Sequence, residues 1–393
     1  MYKISRVKSD NDLISVSLVR SEKQHMSQFR RLDTAPPLSF TKRTFIMKKK
    51  LPFASDYMEG CHPNILHRLS ETNHQPCAGY GLDDISENAR ARIRKACGAP
   101  DAEVKFLVGG TQTNATVIDC ILRPYEGVIA ADSGHVNVHE AGAIEWGGHK
   151  VLALPSKEGK LAAEAIDHYV SDFFADENWE HMVHPGMVYI SQPTEWGTLY
   201  SKKELTDISA VCRRHHIPLF IDGARLAYAL GSSSNDVTLE DLARLADVFY
   251  IGGTKCGALF GEAVVIPDPR LILHFFPMIK QHGALLAKGW LLGIQFDELF
   301  NDGLYLQMGR TADLYAEEIK KALTVKGIPL YFDSPTNQIF FTIENSRMEK
   351  LKETVSFGFG CKADDSHSII RFCTSWATKE EDVKALVRVI EAL

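Results

Sequence analysis

Short apolar runs bounded by glycine, proline or polar residues alternate along this chain with segments whose apolar residues recur every three or four positions. Such runs, joined by helical intervals, read as buried parallel strands with crossover helices. The clearest pair lies mid-chain: residues 216–222 lead into Asp222-Gly223-Ala224-Arg225, and residues 247–252 lead into Gly253-Thr254-Lys255-Cys256-Gly257. The same pattern predicts strands at 104–108, 128–131, 150–154, 187–190 and 260–266, and helices at 63–69, 86–96, 115–122, 161–174 and 204–214. Residues 269–300 read as mostly helical, with a kink near Lys280-Gln281-His282. From about Gly303 the order becomes helix 304–325, strand 337–343, helix 348–354, strand 368–373 and helix 380–393, a small α/β unit. These shifts predict an N-terminal arm and large domain over 47–300 and a small C-terminal domain over 301–393.

Residues 1–46 do not share the pattern. They are rich in Ser, Lys and Arg, carry Pro36-Pro37, and show one short alternation at 13–19. We expect a disordered or non-native extension there, with Met47 a natural start for the compact part. Asp10, Asp12, Glu22 and Asp33 weigh against a transit peptide.

Composition narrows the class. With 393 residues, 45% hydrophobic and 24% charged, the chain is an ordinary soluble globular protein. The net charge of -6 is uneven: residues 1–46 hold nine Lys/Arg against four Asp/Glu, leaving 35 against 46 in the remainder. An acidic folded part argues against a nucleic-acid partner. Eight cysteines without C-x-x-C or zinc-ligand spacing read as reduced thiols of a cytoplasmic protein, and no metal site is expected. No apolar run is long enough to span a bilayer, so no membrane partner is expected either.

Ligands of parallel sheets sit at the carboxyl ends of the strands, which gathers Asp222, Arg225 and Lys255 around one crevice. A partly desolvated lysine is a nucleophile, and a nearby carboxylate is what a pyridinium nitrogen needs; together they are the two parts of a pyridoxal phosphate site. The bland alternative is a surface lysine on a glycine-rich loop and an aspartate that caps a helix. Gly109-Gly110-Thr111 before a helix offers free N–H groups to a phosphate, or else Thr111 simply caps that helix. His135, just past a strand end with Glu140 following, could stack on a ring or handle protons. His181 and His184 could lean over a substrate. Arg371, within an apolar strand, suggests a bound carboxylate unless it faces water at an edge.

Together Ser55-Asp56, Tyr80-Gly81, Gly110-Thr111-Gln112, His135 with Glu140, Asp222-Gly-Ala-Arg225, Lys255 and Arg371 resemble the low-specificity threonine aldolases, a family related to the β-eliminating lyases. The resemblance runs from about Phe53 to the C-terminus. It implies an α/β chain of the aspartate-aminotransferase-like fold type I, a large domain with a mainly parallel mixed sheet plus a small C-terminal domain. It further implies a pyridoxal 5'-phosphate Schiff base on Lys255, Asp222 at the pyridinium nitrogen, His135 stacked on the ring, and the phosphate on Gly110 and Thr111. The amino-acid carboxylate would be held by Ser55, Arg225 and Arg371. The implied reaction is retro-aldol cleavage of threonine or allo-threonine to glycine and an aldehyde, in a homodimer or homotetramer with shared sites. A β-eliminating lyase or aminotransferase on the same fold, or a non-catalytic ligand-binding relative, is the alternative. Gln192-Pro193-Thr194-Glu195 stands where the family commonly has an acid-Asn-Thr-His run, Tyr57 replaces a small hydroxyl residue, and Gly109 replaces a frequent serine.

Overall fold

The computed structural model describes residues 50–393; the expectation for residues 1–46 lies outside them. Eleven strands form two sheets. The first contains β2 (Glu103–Leu107), β3 (Glu126–Ala131), β4 (Lys150–Leu154), β5 (His184–Ser191), β6 (Leu219–Asp222), β7 (Val248–Gly252) and β8 (Glu262–Ile266) in the order β2-β8-β7-β6-β5-β3-β4. Neighbours from β4 through β7 are parallel, while β8 runs antiparallel between β7 and β2. Apolar side chains alternate across its faces: Leu219, Ile221, Phe249 and Ile251 enter one core, and Phe220, Val248 and Tyr250 the other. Burial on both faces is why these strands read as continuous apolar runs. The carboxyl ends of β2, β3, β5, β6 and β7 meet at one edge, since β2 is parallel to β7 across β8.

The second sheet has the order β1-β10-β11-β9, formed by β9 (Gln338–Glu344), β10 (Val355–Lys362), β11 (His367–Cys373) and the three-residue β1 (Leu51–Phe53). Thus a segment near the start of the described residues pairs with a C-terminal strand, parallel through Leu51↔Val355 to Phe53↔Phe357. Neither β1 nor β10 was expected from the pattern. β1 is short and contains Pro52; β10 carries Gly358 and Gly360, exposes its last four residues, and shifts register between Phe359 and Cys361.

Two helices also depart from expectation. The one predicted at 115–122 begins earlier and spans Gly110–Ile121, capped by extended Gly109 without any side-chain bond, so Thr111 does not cap it. The 269–300 stretch separates into Phe275–Gln281 and Trp290–Leu299, broken at His282 and Gly283, whose φ of +69° favours glycine. Among the described residues no helix is long and apolar enough to cross a membrane.

Helix Leu304–Val325 joins the two sheets. Tyr305, Met308 and Ala312 belong to the first core, whereas Ala316, Ile319 and Leu323 belong to the core of the second sheet. It crosses helix Leu226–Gly231 so closely that a Cβ on Gly309 would lie 1.9 Å from the Ala227 carbonyl. Asp313 on the same helix is 6% exposed, and neither of its carboxylate oxygens meets a donor. Burial, reinforced by Glu317, pushes its carboxyl from 3.8 up to about 9. A carboxyl held protonated by the fold stabilises fully at low pH and loses that contribution as pH rises through its folded value. Asp313→Asn removes this titration, so the melting temperature of the variant relative to wild type climbs as pH goes from about 4 to about 9. Melting curves across that range test it, and a difference that stays flat would mean Asp313 has found a partner.

Candidate active site

The carboxyl edge of the first sheet closes around a cavity lined by Gly110, His135, Asp222, Arg225 and Lys255, with Asn114, Ser191, Glu195 and Tyr250 among the other lining residues. Five of the eight residues given cofactor or substrate roles by the family resemblance therefore converge. Ser55, Thr111 and Arg371 do not line it, and His184 is remote: it opens β5 at the opposite edge, packed against Tyr125, Phe173 and Trp179.

Asp222 ends β6 and is 5% exposed. Its Oδ2 accepts from the Tyr189 hydroxyl at 2.6 Å and from Asn114 Nδ2 at 3.0 Å, while Oδ1 accepts the Ala224 N–H at 2.9 Å. Burial alone would raise its pKa, but the Tyr189 hydroxyl, the neighbouring Tyr250 hydroxyl, the Ala224 N–H and the field of His135 more than offset it and hold the carboxyl below its ordinary value. Asn114 uses its second N–H on Glu140 Oε1 at 2.7 Å, and the same oxygen faces His135 Nδ1 at 2.7 Å. His135 is thereby fixed with Nε2 as its uncommitted nitrogen. On the other side, Glu195 Oε1 accepts the His135 backbone N–H at 2.9 Å and the Ser191 hydroxyl at 2.7 Å. Asn114, Tyr189 and Glu195 had no role in the sequence reading. Asn114 had a usable signal, four positions after Gly110 on the same helical face; Tyr189 and Glu195 reach their partners only through the fold.

Lys255 follows β7, and its Nζ makes no hydrogen bond or ion pair with the described residues. Burial, then repulsion from Arg225, lowers its pKa, which favours the neutral amine. Glu262 lies beneath, at the register Gly252↔Glu262, and accepts from Gly253 N at 3.0 Å and Thr254 Oγ1 at 2.8 Å. Arg225 is committed through Nε and Nη2 to the fully buried Asp56 at 2.6 and 3.1 Å. Although burial opposes it, that pairing holds the Asp56 carboxyl at about 2, with Asn337 adding a 2.9 Å bond.

Arg371 forms a second, adjoining station. Its Nη1 donates to Gln338 Oε1 at 2.8 Å and its Nη2 to the Ala54 carbonyl at 3.2 Å, which sets it beside Ser55. Gln338 Nε2 in turn reaches the Glu195 carbonyl at 3.3 Å. Buried Ser55 Oγ and Arg371 Nε have no hydrogen-bond partner among the described residues.

These features fit pyridoxal phosphate: an ionised carboxylate for the ring nitrogen, an unpaired amine, an imidazole with one free nitrogen, and an uncapped helix start whose first N–H groups lack intrahelical partners. Among the described residues no group of His, Cys, Asp and Glu is arranged to hold a metal ion.

A family model described as beta-eliminating lyase matches residues 53–343. A low-specificity L-threonine aldolase of Pseudomonas sp. is 30% identical over 347 residues, covering 87% of this chain and 97% of the relative. The low-specificity L-threonine aldolase of Saccharomyces cerevisiae is 27% identical and covers 62% of each chain. Among solved structures, the threonine aldolase of Leishmania major is 44% identical with a TM-score of 0.84, over 87% of this chain and 98% of its own. Aspartate aminotransferase of Thermus thermophilus, at 15% identity and a TM-score of 0.66 over 88% of this chain and 92% of its own, shares the fold, as expected for fold type I. By sequence, fold and site, the chain belongs to the beta-eliminating lyase family, with the low-specificity L-threonine aldolases as its relatives.

Proposed function

We propose that this protein is a pyridoxal-phosphate-dependent lyase that cleaves β-hydroxy-α-amino acids, threonine or allo-threonine, to glycine and an aldehyde. The observation that carries the reading is the pair across one cavity: Asp222 held ionised by three donors, and Lys255 unpaired and shifted toward its neutral form. When bound, pyridoxal phosphate supplies the electron sink for the pair released from the Cα–Cβ bond. Asp222 would face the ring nitrogen with its charge, His135 would pack against the ring, and Gly110 and Thr111 would hold the phosphate at the helix start. Arg371 and Ser55, whose buried polar atoms lack partners, take the amino-acid carboxylate. Arg225 uses two nitrogens on Asp56, and its remaining Nη1 is left for the cofactor or the carboxylate.

The resemblance to the family also supports a homodimer or homotetramer with shared sites. Tyr57 at 58% and Leu259 at 42% exposure, one and four residues from Asp56 and Lys255, are apolar surface that a second copy would cover. Eight free thiols fit the reducing cytoplasm.

Two variants test the assignments. Lys255→Ala protein, mixed with excess pyridoxal phosphate, gives no protein-bound visible absorption and no turnover; full turnover in this variant overturns the mechanism. Arg371→Ala leaves cofactor absorption in place and, by removing a charged hydrogen bond worth about 1.5–3 kcal/mol, raises KM for the amino acid roughly 10- to 100-fold. Cofactor loss at unchanged KM would show that Arg371 serves another group. Product analysis separates the chemistries: glycine plus aldehyde for the lyase proposed, ammonia plus a keto acid for elimination.

A further inference from the structure

Five carboxylates lie in or beside this site, and four are fully engaged or sealed. Asp222 carries donors on both oxygens, and so does Asp56, from Arg225 and Asn337. Glu262 accepts from Gly253 and Thr254, one bond to each oxygen. Glu140 binds His135 and Asn114 through Oε1, while its Oε2 is buried in protein. Glu195 differs. Its Oε1 is pinned by His135 N–H and the Ser191 hydroxyl, its Oε2 receives no hydrogen bond from the described residues, and the side chain lines the cavity alongside Lys255.

The position of Glu195 suits a reaction at Cβ. Its carbonyl is tied through Gln338 to Arg371, so the residue sits between the carboxylate station and the Lys255 end. Pro193, Thr194 and Glu195 line the same cavity as Lys255, so an amino acid with its carboxylate at Arg371 and its nitrogen toward Lys255 would bring its Cβ hydroxyl within reach of Glu195 when Cβ is turned to that wall. We infer that Glu195 is the base that takes the β-hydroxyl proton, an inference that rests on the lyase reading above. The hydroxyl proton moves to Glu195 Oε2, the O–H pair becomes the second bond of the aldehyde C=O, and the Cα–Cβ bond breaks with its pair retained on the Cα side. Cα then gains one proton, so a β-hydroxy-α-amino acid yields glycine and aldehyde with no net change in protons.

The surroundings make this carboxylate a better base than an exposed one. Burial raises its pKa despite the Ser191 and His135 donors, and Asp222 adds to the rise. Asp222, His135, Tyr189 and Tyr200 are the titratable groups that face it. His135 is the competing base through Nε2, but that ring is also the group expected to stack on the cofactor.

Glu195→Gln keeps an acceptor oxygen for Ser191 and the His135 N–H while losing the ability to take a proton. The variant loaded with pyridoxal phosphate is expected to keep its visible absorption and its glycine affinity, read by spectral titration. Its kcat for L-threonine and L-allo-threonine falls roughly 10²- to 10⁴-fold, and the acid limb of the wild-type pH profile disappears. Glu195→Asp, which retains a carboxylate, keeps more turnover than the glutamine variant. Wild-type turnover in the glutamine variant overturns the inference and leaves the lyase reading standing, with His135 then the base. Loss of cofactor absorption or of glycine binding also overturns it, because Glu195 would then be shaping the pocket. Wild-type protein that takes up the cofactor yet releases aldehyde from no β-hydroxy amino acid sinks the lyase reading, and this inference with it.

Discussion

A carboxylate kept charged inside the protein is the constraint on which the rest of the site depends. Asp222 is 5% exposed, and an isolated ionised carboxyl at such depth would take up a proton. The fold prevents this by delivering donors from three elements: Asn114 from the helix after β2, Tyr189 from β5, and the Ala224 amide from its own turn. Those donors are themselves constrained. Asn114 is stretched between Asp222 and Glu140, Glu140 orients His135, and the backbone of His135 is bonded to Glu195, whose partner Ser191 stands 3.4 Å from the Tyr189 hydroxyl. The result is a closed circuit of hydrogen bonds around the cavity, in which each polar side chain is positioned by the next.

Cations near the site are sorted by the same means. Lys255 must be able to lose a proton, and Arg225 must not. A fully buried Asp56 occupies Arg225 through two bonds, so the guanidinium is neutralised locally and has its orientation fixed. No carboxylate is bonded to Lys255 among the described residues, and burial with the field of Arg225 outweighs the more distant charges of Asp56, Asp222 and Glu262, which favours the neutral form. Pairing one cation and isolating the other gives two basic groups in one pocket different chemistry.

Much of this was legible in the sequence where a local rule applied. Parallel strands buried on both faces write themselves as apolar runs, and their carboxyl ends are where ligands sit, so Asp222, Arg225 and Lys255 could be placed around one crevice from the sequence. β10 was hidden because its exposed half and two glycines leave no alternation, and β1 because three residues with a proline acquire strand character only through β10. The start of helix Gly110–Ile121 was missed since Gly-Thr-Gln-Thr is a poor helix former in isolation. Glu195 and Tyr189 lie 60 and 33 residues from the partners that define them, a separation no periodicity encodes.

The two stations also sit on different sheets, which turns substrate choice into a question of rigid distance. Arg371 belongs to β11 of the second sheet, while Asp222 and the turn bearing Lys255 follow strands of the first. Helix Leu304–Val325 contributes to both cores, and its Gly309 rests against the Ala227 backbone of the helix that follows Arg225. A side chain at 309 would have to push those helices apart, and with them Arg371 from the strand ends of the first sheet. Gln338 makes a second tie, linking Arg371 directly to the backbone of Glu195. The shared helix and the one amide bridge thus fix the spacing between Arg371 and the strand ends that carry Asp222 and Lys255. Pro193, Thr194 and Glu195 complete the wall of the cavity between them.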